Sequence, residues 1–146
     1  MDKIIFFLPI DQDGFPPISV ELINATQIKE GVFKLDNTPF FTSDISFNDI
    51  VTASPTEHIN QFEFIEVIEQ SSFVALSIII MDKSMDSFLM DFFRGLDCVI
   101  EYGEFGVYRV LAVAVPKSVD YGSVRESLQS LENQELISFS ELALPP

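Results

Sequence analysis

Residues 73–81 have the sequence FVALSIIIM, a nearly continuous apolar run that is typical of a central β-strand covered on both faces. The residues that follow, 82–97, have the sequence DKSMDSFLMDFFRGLD. Their apolar side chains recur at helical spacing at Met85, Phe88, Leu89, Phe92, Phe93 and Leu96. Charged side chains such as Asp91 and Arg94 fall on the opposite side. The pattern therefore predicts an amphipathic helix near residues 84–96, directly after a buried strand.

Downstream, the sequence predicts two strands, a second helix and a last strand. Residues 98–102 and 107–115 are rich in apolar side chains, and the link GEFG between them is typical of a hairpin. Residues 120–133 carry an apolar stripe at helical spacing, and residues 136–142 form the last strand. The order βαββαβ is the ferredoxin-like pattern, which predicts a four-stranded antiparallel sheet with both helices on one face.

Upstream of residue 70 the apolar side chains follow a period of two, and no helical period is found. Short strands separated by turn residues are predicted around residues 18–22, 32–35, 50–51 and 62–69. Strands of this length and spacing favour a small, strongly bent antiparallel sheet or partial barrel. On strand 62–69, strict alternation would place Glu63 and Glu69 on one face and Glu66 on the other.

The chain has 146 residues, of which 47% are hydrophobic and 15 are Phe. A chain of this size can bury a core without a disulfide or metal. We therefore expect an α+β protein. A β-rich subdomain would span residues 1–70 and a ferredoxin-like α+β subdomain residues 71–146, packed as one compact unit.

Lys and Arg total 8 against 23 Asp and Glu, which gives a net charge of −15 and a pI near 4.1. This balance argues against binding to nucleic acid or to an anionic membrane, because both need a basic surface. The apolar run at residues 4–10 is short and contains Pro9, which favours an extended segment packed on the domain over a signal peptide. The single cysteine, Cys98, excludes an intramolecular disulfide, and no run is long enough to span a bilayer. We therefore expect a cytoplasmic protein.

No group of residues has the pattern of a catalytic or metal site. His58 has only Glu57 beside it, and consecutive residues of a strand face opposite ways. Cys98 has no Cys or His at ligand spacing. The sequence DQDG at residues 11–14 lacks the Gly and Glu that a calcium loop needs at its sixth and twelfth positions. The sequence therefore predicts a protein that is not an enzyme and needs no cofactor.

The distribution of charge is the most informative feature for function. No basic residue lies between Lys34 and Lys83, whereas this interval holds eight acidic residues. Six of them are the candidate partner-binding residues: Asp44, Asp49, Glu57, Glu63, Glu66 and Glu69. An acidic surface of this kind is either an ordinary solvated face or a docking surface for a basic protein.

Two segments resemble a known family. The first is GVFKLDNTPFF at residues 31–41, followed by NDIV at residues 48–51. The second is VLAVAVP at residues 110–116, followed by VDY at residues 119–121. Together they resemble the small bacterial proteins known as domain of unknown function 4265, over about residues 15–142. The resemblance implies no activity and no catalytic residues, and residues 36–39 within it are most simply interpreted as a turn whose side chains bond the local backbone.

Three functions follow as hypotheses. The size and acidity are similar to those of immunity proteins in bacterial polymorphic-toxin and contact-dependent-inhibition systems. The leading hypothesis is therefore an immunity protein that neutralises a cognate toxin domain, such as a basic nuclease, through an acidic surface. The alternative is a ligand-sensing regulatory module, since ferredoxin-like sheets often bind small molecules, an argument from the fold alone. The third hypothesis is an enzyme. It ranks last because no nucleophile–base pair or metal cluster is found.

Overall fold

The computed structural model describes residues 1–146, and the protein is mostly β-structure with two α-helices. The strands are β1 (Asp2–Phe7), β2 (Val20–Lys29), β3 (Val32–Leu35), β4 (Ile50–Pro55), β5 (Gln61–Glu69), β6 (Val74–Ile80), β7 (Val99–Phe105), β8 (Tyr108–Val115) and β9 (Ile137–Ala143). The helices are α1 (Asp86–Gly95) and α2 (Tyr121–Asn133). The helices predicted near residues 84–96 and 120–133 are thus confirmed, and none lies before residue 70.

Strands β1 to β5 close a barrel in chain order. Neighbouring strands are antiparallel, except that β1 and β5 run parallel where the barrel closes. Nine buried apolar residues fill the interior: Ile4, Phe6, Ile23, Ala25, Phe33, Leu35, Ile45, Val51 and Ala53. Residues 4–7 of the apolar run at residues 4–10 lie in β1, so this part of the run is an extended segment packed on the domain, as expected.

The strand expected at residues 18–22 starts later, and its inner face is the opposite one. Glu21 is buried with Ile23 and Ala25, whereas Val20 and Leu22 point to the exterior and are exposed. Val20 and Leu22 are apolar residues of the period-two pattern at residues 18–22, but they lie on the outside of the barrel. The buried side chains are those of the alternate residues of β2, Glu21, Ile23 and Ala25.

Two irregularities in β5 correct the expected orientation of its glutamates. The register with β4 shifts between the pairs Ala53–Phe64 and Thr52–Glu66, which leaves Ile65 as an extra residue. A second shift follows between Val51–Val67 and Ile50–Glu69. Phe62, Phe64 and Val67 consequently pack against the barrel core. Glu66 does not share their face, and all three glutamates of β5 point to solvent.

Strands β6 to β9 form a second sheet in the order β7-β8-β6-β9, with every pair antiparallel. Both helices contribute to a single core on one face of this sheet. That core has 12 buried residues, including Leu89 and Phe93 of α1 and Val124 and Leu128 of α2. Alternate sheet residues such as Leu76 pack into the same core. The two helices therefore cover the same face.

The opposite face of this sheet carries small side chains. Ala75, Ala112 and Ala114 are fully buried, yet they alternate with the residues of the helical core and so face away from it. A cavity of about 70 Å³ separates Ser77 and Ser140 of the sheet from aromatic residues that follow β3. Small side chains allow the barrel and its loops to approach this face closely. Both faces of the sheet are consequently covered.

Residues 36–49, here called the linking segment, join the barrel to the second sheet. The backbone N–H of Asn24 donates to Asn37 Oδ1 at 2.9 Å, and Asn37 Nδ2 donates to Glu101 Oε1 on β7 at 2.8 Å. Asn37 thus bridges a barrel strand to a strand 64 residues away. The expectation of a simple turn with local bonds at residues 36–39 is wrong, because these side chains bond distant elements.

Aromatic packing completes this junction. The rings of Phe40 and Phe41 lie 5.0 Å and 5.1 Å from the ring of Phe105, each edge to face. A Cβ atom placed on Gly103 would lie 3.0 Å from the Phe40 ring and 2.7 Å from the Phe105 ring. Only glycine leaves room for both rings. The linking segment therefore packs against the hairpin between β7 and β8.

Candidate functional site

A groove of about 480 Å³ opens on the barrel where β1 and β5 part. The two strands pair at three positions only, ending at Ile5 and Glu63, and both continue beyond that point. Residues 5–9 form one wall of the groove and residues 41–45 the other, with Glu63 and Phe64 between them. Asp44 and Glu63 are the only charged residues among the 13 that line it. The groove is therefore apolar with acidic side chains and no basic ones.

The outer face of β5 extends this acidic surface. Glu63, Glu66 and Glu69 are exposed, and none of their carboxylates forms a hydrogen bond or an ion pair. Exposed apolar side chains lie among them, since Ile65 is 58% and Ile68 51% exposed. On β1, Phe7 is 63% exposed at the mouth of the groove. Charged and apolar side chains are thus interleaved on one surface, which we call the β5 face.

Four of the six predicted residues belong to this region. Asp44 and Glu63 line the groove, and Glu66 and Glu69 lie on the β5 face. Glu57 lies at the tip of the hairpin between β4 and β5, where its carboxylate is 3.9 Å from His58 and both side chains are largely exposed. The pair is open to solvent, so it has no buried partner that would orient it for catalysis.

Asp49 does not belong to the surface, and its assignment as a partner-binding residue is wrong. It is 3% exposed, and its carboxylate accepts the backbone N–H of Ser46 at 2.8 Å and of Ser71 at 2.7 Å. Burial raises the pKa of the Asp49 carboxyl above its ordinary value, and these two N–H groups partly oppose the rise. Asp49 therefore fixes the end of the linking segment to the start of the second sheet.

Sequence reasoning missed Glu21, whose side chain binds the backbone of the segment that forms one wall of the groove. Its buried carboxylate accepts the backbone N–H groups of Phe40, Phe41 and Thr42 at 2.6, 3.1 and 3.0 Å, and the Thr42 hydroxyl at 2.7 Å. This contact holds residues 41–45, one wall of the groove, against β2. The available signal was an acidic residue in register with the inward-facing Ile23 and Ala25.

Asp44 is held by its backbone rather than by its side chain. Its N–H donates to the carbonyl of Leu142 at 2.8 Å, and its φ of +66° lies in the left-handed region that Asp tolerates better than most residues. The carboxylate remains exposed. The barrel groove is therefore anchored to the last strand of the second sheet while its acidic group stays free.

Reactive groups elsewhere in the chain do not form a second site. Cys98 is buried beneath α1, and burial together with the charge of Asp97 raises the pKa of its thiol to about 11. Burial also raises the pKa of Glu101, although the Thr38 N–H and the Asn37 amide oppose that rise. Nowhere do three or more His, Cys, Asp or Glu side chains gather in a geometry suited to a metal ion. None of the helices has the length and apolarity that crossing a membrane requires.

Comparison with known proteins gives a family and a fold. A family model described as Domain of unknown function (DUF4265) matches residues 21–139, and no curated protein matches the chain. A crystal structure of a hypothetical protein from Neisseria gonorrhoeae has a TM-score of 0.75 and 18% sequence identity. The match covers 99% of this chain and 94% of that one, so the likeness in fold includes both the barrel and the second sheet. The match of the family model to most of the chain establishes that this protein belongs to the DUF4265 family.

Proposed function

We propose that this protein is a cytoplasmic immunity protein. In this proposal it has no catalytic activity and neutralises a cognate bacterial toxin domain, such as a basic nuclease, by binding it through the groove and the β5 face. Asp44, Glu57, Glu63, Glu66 and Glu69 supply the negative charge. The partner is a protein, and neither nucleic acid nor a membrane is bound.

The observation that carries this proposal is the composition of the β5 face. Three unpaired carboxylates of one strand share a surface with exposed Ile65 and Ile68. Carboxylates steer a basic partner toward the surface and exclude acidic ones, whereas apolar side chains supply contact once water has left. Ile65, Ile68 and Phe7 thus place exposed apolar side chains beside these charges, a combination that is common at protein–protein interfaces.

We also propose that residues 71–146 have a ferredoxin-like fold. The order of elements from β6 to β9 is βαββαβ, the sheet order is β7-β8-β6-β9, and both helices lie on one face.

The second candidate function, a ligand-sensing regulatory module, is favoured by one feature of this half. A groove of about 410 Å³ between α1 and α2, lined by Phe88, Phe92 and Leu131 among others, has the volume of a small-molecule site.

The test is a kinetic binding measurement against the C-terminal toxin domain of a secreted protein encoded next to this chain. The quadruple variant Glu57→Gln, Glu63→Gln, Glu66→Gln and Glu69→Gln should associate about tenfold more slowly at low salt, because steering charge is lost. Its dissociation rate should change less, since dissociation reports close contacts. Raising the salt concentration should slow association of the unmodified protein in the same way.

The matched control removes the same charge from the other half of the molecule. Asp91, Asp97, Glu126 and Glu135 are exposed, and their carboxylates form no hydrogen bond or ion pair. The corresponding Asn and Gln variant should associate within about twofold of the unmodified protein. Glu132 is unsuitable as a control, because its carboxylate accepts the Phe139 N–H at 3.0 Å. Equal slowing by both variants would contradict a localised docking surface, and absence of binding would contradict the immunity function.

A further inference from the structure

We propose that the barrel captures its partner by β-strand addition, with an extended basic segment entering the groove between β1 and β5. This inference rests on the proposed function and specifies the chemistry of the segment that is bound. In this mode, main-chain hydrogen bonds to a free strand edge give affinity, and side-chain contacts on alternate positions give selectivity.

Both strands present a free edge to the groove. β1 pairs with β2 along its whole length to Phe7, but it pairs with β5 only as far as Ile5. β5 pairs with β4 to Glu69, but it pairs with β1 only over Gln61–Glu63. Beyond these points the Leu8 N–H donates to the Ser19 carbonyl on the β2 side at 2.8 Å, so Phe7, which alternates with Leu8, presents its backbone groups toward the groove. The backbone of Phe7 on β1, and the side of β5 away from β4 beyond Phe64, are therefore available to another strand.

The side chains around these edges define which strand would fit. Phe6, Leu8 and Phe64 offer apolar contact within the groove, so one face of an entering segment should be apolar. Asp44 and Glu63 both line the groove, and Glu66 and Glu69 continue along β5. Lysine or arginine on the other face of the segment would lie beside these carboxylates. The fitting sequence thus alternates basic and apolar residues, with the period of a strand.

Charge also determines whether a second copy of this chain would enter. Each copy has a net charge of −15, and no basic residue lines the groove. Pairing of two copies at these edges would bring carboxylates of β5 against one another, which is a device that natural edge strands use against self-association. A basic segment from another protein meets the opposite situation, because its charges are complementary.

The probe for a direct test is an N-acetylated, C-amidated heptapeptide of alternating lysine and valine, KVKVKVK. Hydrogen exchange followed by NMR at low salt should show slower exchange of the Phe7 amide, and of those amides in residues 65–69 that do not bond β4, when the peptide is added. The same peptide with N-methyl groups on its valines should bind at least about tenfold more weakly, because its backbone donors are removed along one edge. A glutamate–valine peptide, EVEVEVE, should give no protection.

Two results would overturn the inference. Equal binding of the N-methylated peptide would mean that side chains alone are recognised, and protection confined to other elements would place the binding surface elsewhere. Failure of KVKVKVK to bind at millimolar concentration would overturn it as well. A double variant, Glu63→Gln with Glu66→Gln, should weaken binding of KVKVKVK at least about threefold, whereas Asp91→Asn with Glu126→Gln should leave it unchanged.

The toxin domain used for the proposed function distinguishes the two failures. If the toxin domain binds through the acidic residues but its complex leaves the amides of Phe7 and of residues 65–69 without added protection, the immunity function stands and strand addition is wrong. If KVKVKVK binds at these edges and no toxin domain does, strand addition stands and the immunity function is wrong.

Discussion

In residues 1–70, which form the barrel, 12 acidic side chains accompany three lysines, whereas residues 71–146 hold 11 acidic and five basic side chains. The two regions also use their carboxylates differently. Asp86 pairs with Arg109 at 2.8 Å and Glu141 with Arg125 at 3.3 Å, both in the second region, whereas no lysine of the barrel forms an ion pair. In the first region, Glu21 and Asp49 are buried against backbone N–H groups, whereas Glu63, Glu66 and Glu69 form no hydrogen bond or ion pair. Ion pairs therefore occur between carboxylates and arginines in the second region, whereas the exposed carboxylates of β5 in the first region are unpaired.

The largest expected effects test whether the two regions unfold as one unit. Phe33 lies at the centre of the barrel core and Phe93 in the helical core, and both are fully buried. Truncation of either residue to alanine should lower the free energy of unfolding by about 3–5 kcal/mol. The three tyrosines, Tyr102, Tyr108 and Tyr121, all lie in the second region, and of their rings only that of Tyr108 packs on an aromatic ring of the first region, Phe15, so their fluorescence reports mainly the second region.

Because the linking segment packs the barrel onto the second sheet, Phe33→Ala should shift the tyrosine transition in urea as much as Phe93→Ala does. An unchanged tyrosine transition in Phe33→Ala, alongside a lower transition by circular dichroism, would show that the two regions unfold independently.

A smaller effect is expected at the bridge between the regions. Asn37→Ala removes the contact between β2 and Glu101 and leaves a half-buried carboxylate with one donor fewer. The free energy of unfolding should fall by about 1–3 kcal/mol. Chemical denaturation measures this loss. Asn133→Ala, which removes an exposed amide of α2, should change stability by less than about 0.5 kcal/mol, and an equal loss there would argue against a special role for the bridge.

The pH dependence of stability should sharpen the role of Glu101. Burial raises its pKa in the folded protein, so the folded state binds the proton more tightly than the unfolded state does. The stability that this proton contributes is fully present below the pKa of Glu101 in the unfolded state, about 4.3. It is lost as the pH rises through the pKa of Glu101 in the folded state. Asp49 contributes in the same direction, because its pKa is also raised by burial.

Glu101→Gln cannot release this proton, so its stability should decline less than that of the unmodified protein between about pH 4.5 and pH 7. Urea denaturation across this pH range measures the difference in slope. Glu126→Gln, at an exposed position, should follow the unmodified protein in parallel, and a slope in Glu101→Gln as steep as in the unmodified protein would contradict the assignment.

The smallest effect is expected on the β5 face. Glu63→Gln, Glu66→Gln and Glu69→Gln each remove an exposed carboxylate that bonds nothing, so each should change the free energy of unfolding by less than about 0.5 kcal/mol. Thermal denaturation of the three single variants checks this expectation. A loss of several degrees in any of them would mean that the face stabilises the fold and is not reserved for a partner.

The regular elements were predictable from sequence because burial imposes a period. Residues 85–96 carry apolar side chains on one side of α1, and residues 73–81 are apolar except for Ser77 because β6 is covered on both faces. The β-structure of the first region was predictable for the same reason. Barrel closure was not, since pairing of β1 with β5 depends on contacts about 58 residues apart in the chain.

The candidate site was predictable only in part. The acidic content of residues 61–69 was visible, and the break in alternation at Ile65 was the signal for the bulge that turns Glu66 outward. The burial of Asp49 was not visible, and neither were the amides that surround Glu21, because the partners of both carboxylates are backbone N–H groups of segments that approach only in the folded protein. Local sequence shows a carboxylate but does not show which distant amides surround it.

The chemical inertness of Cys98 has a practical consequence for labelling. With its thiol buried and its pKa raised to about 11, hardly any reactive thiolate is present at neutral pH. A new cysteine at the exposed position of Ile65 would therefore react with a maleimide fluorophore while the native thiol stays silent. A dye attached in this way would stand beside the groove and report its occupancy through a change in emission, without removal of the natural cysteine.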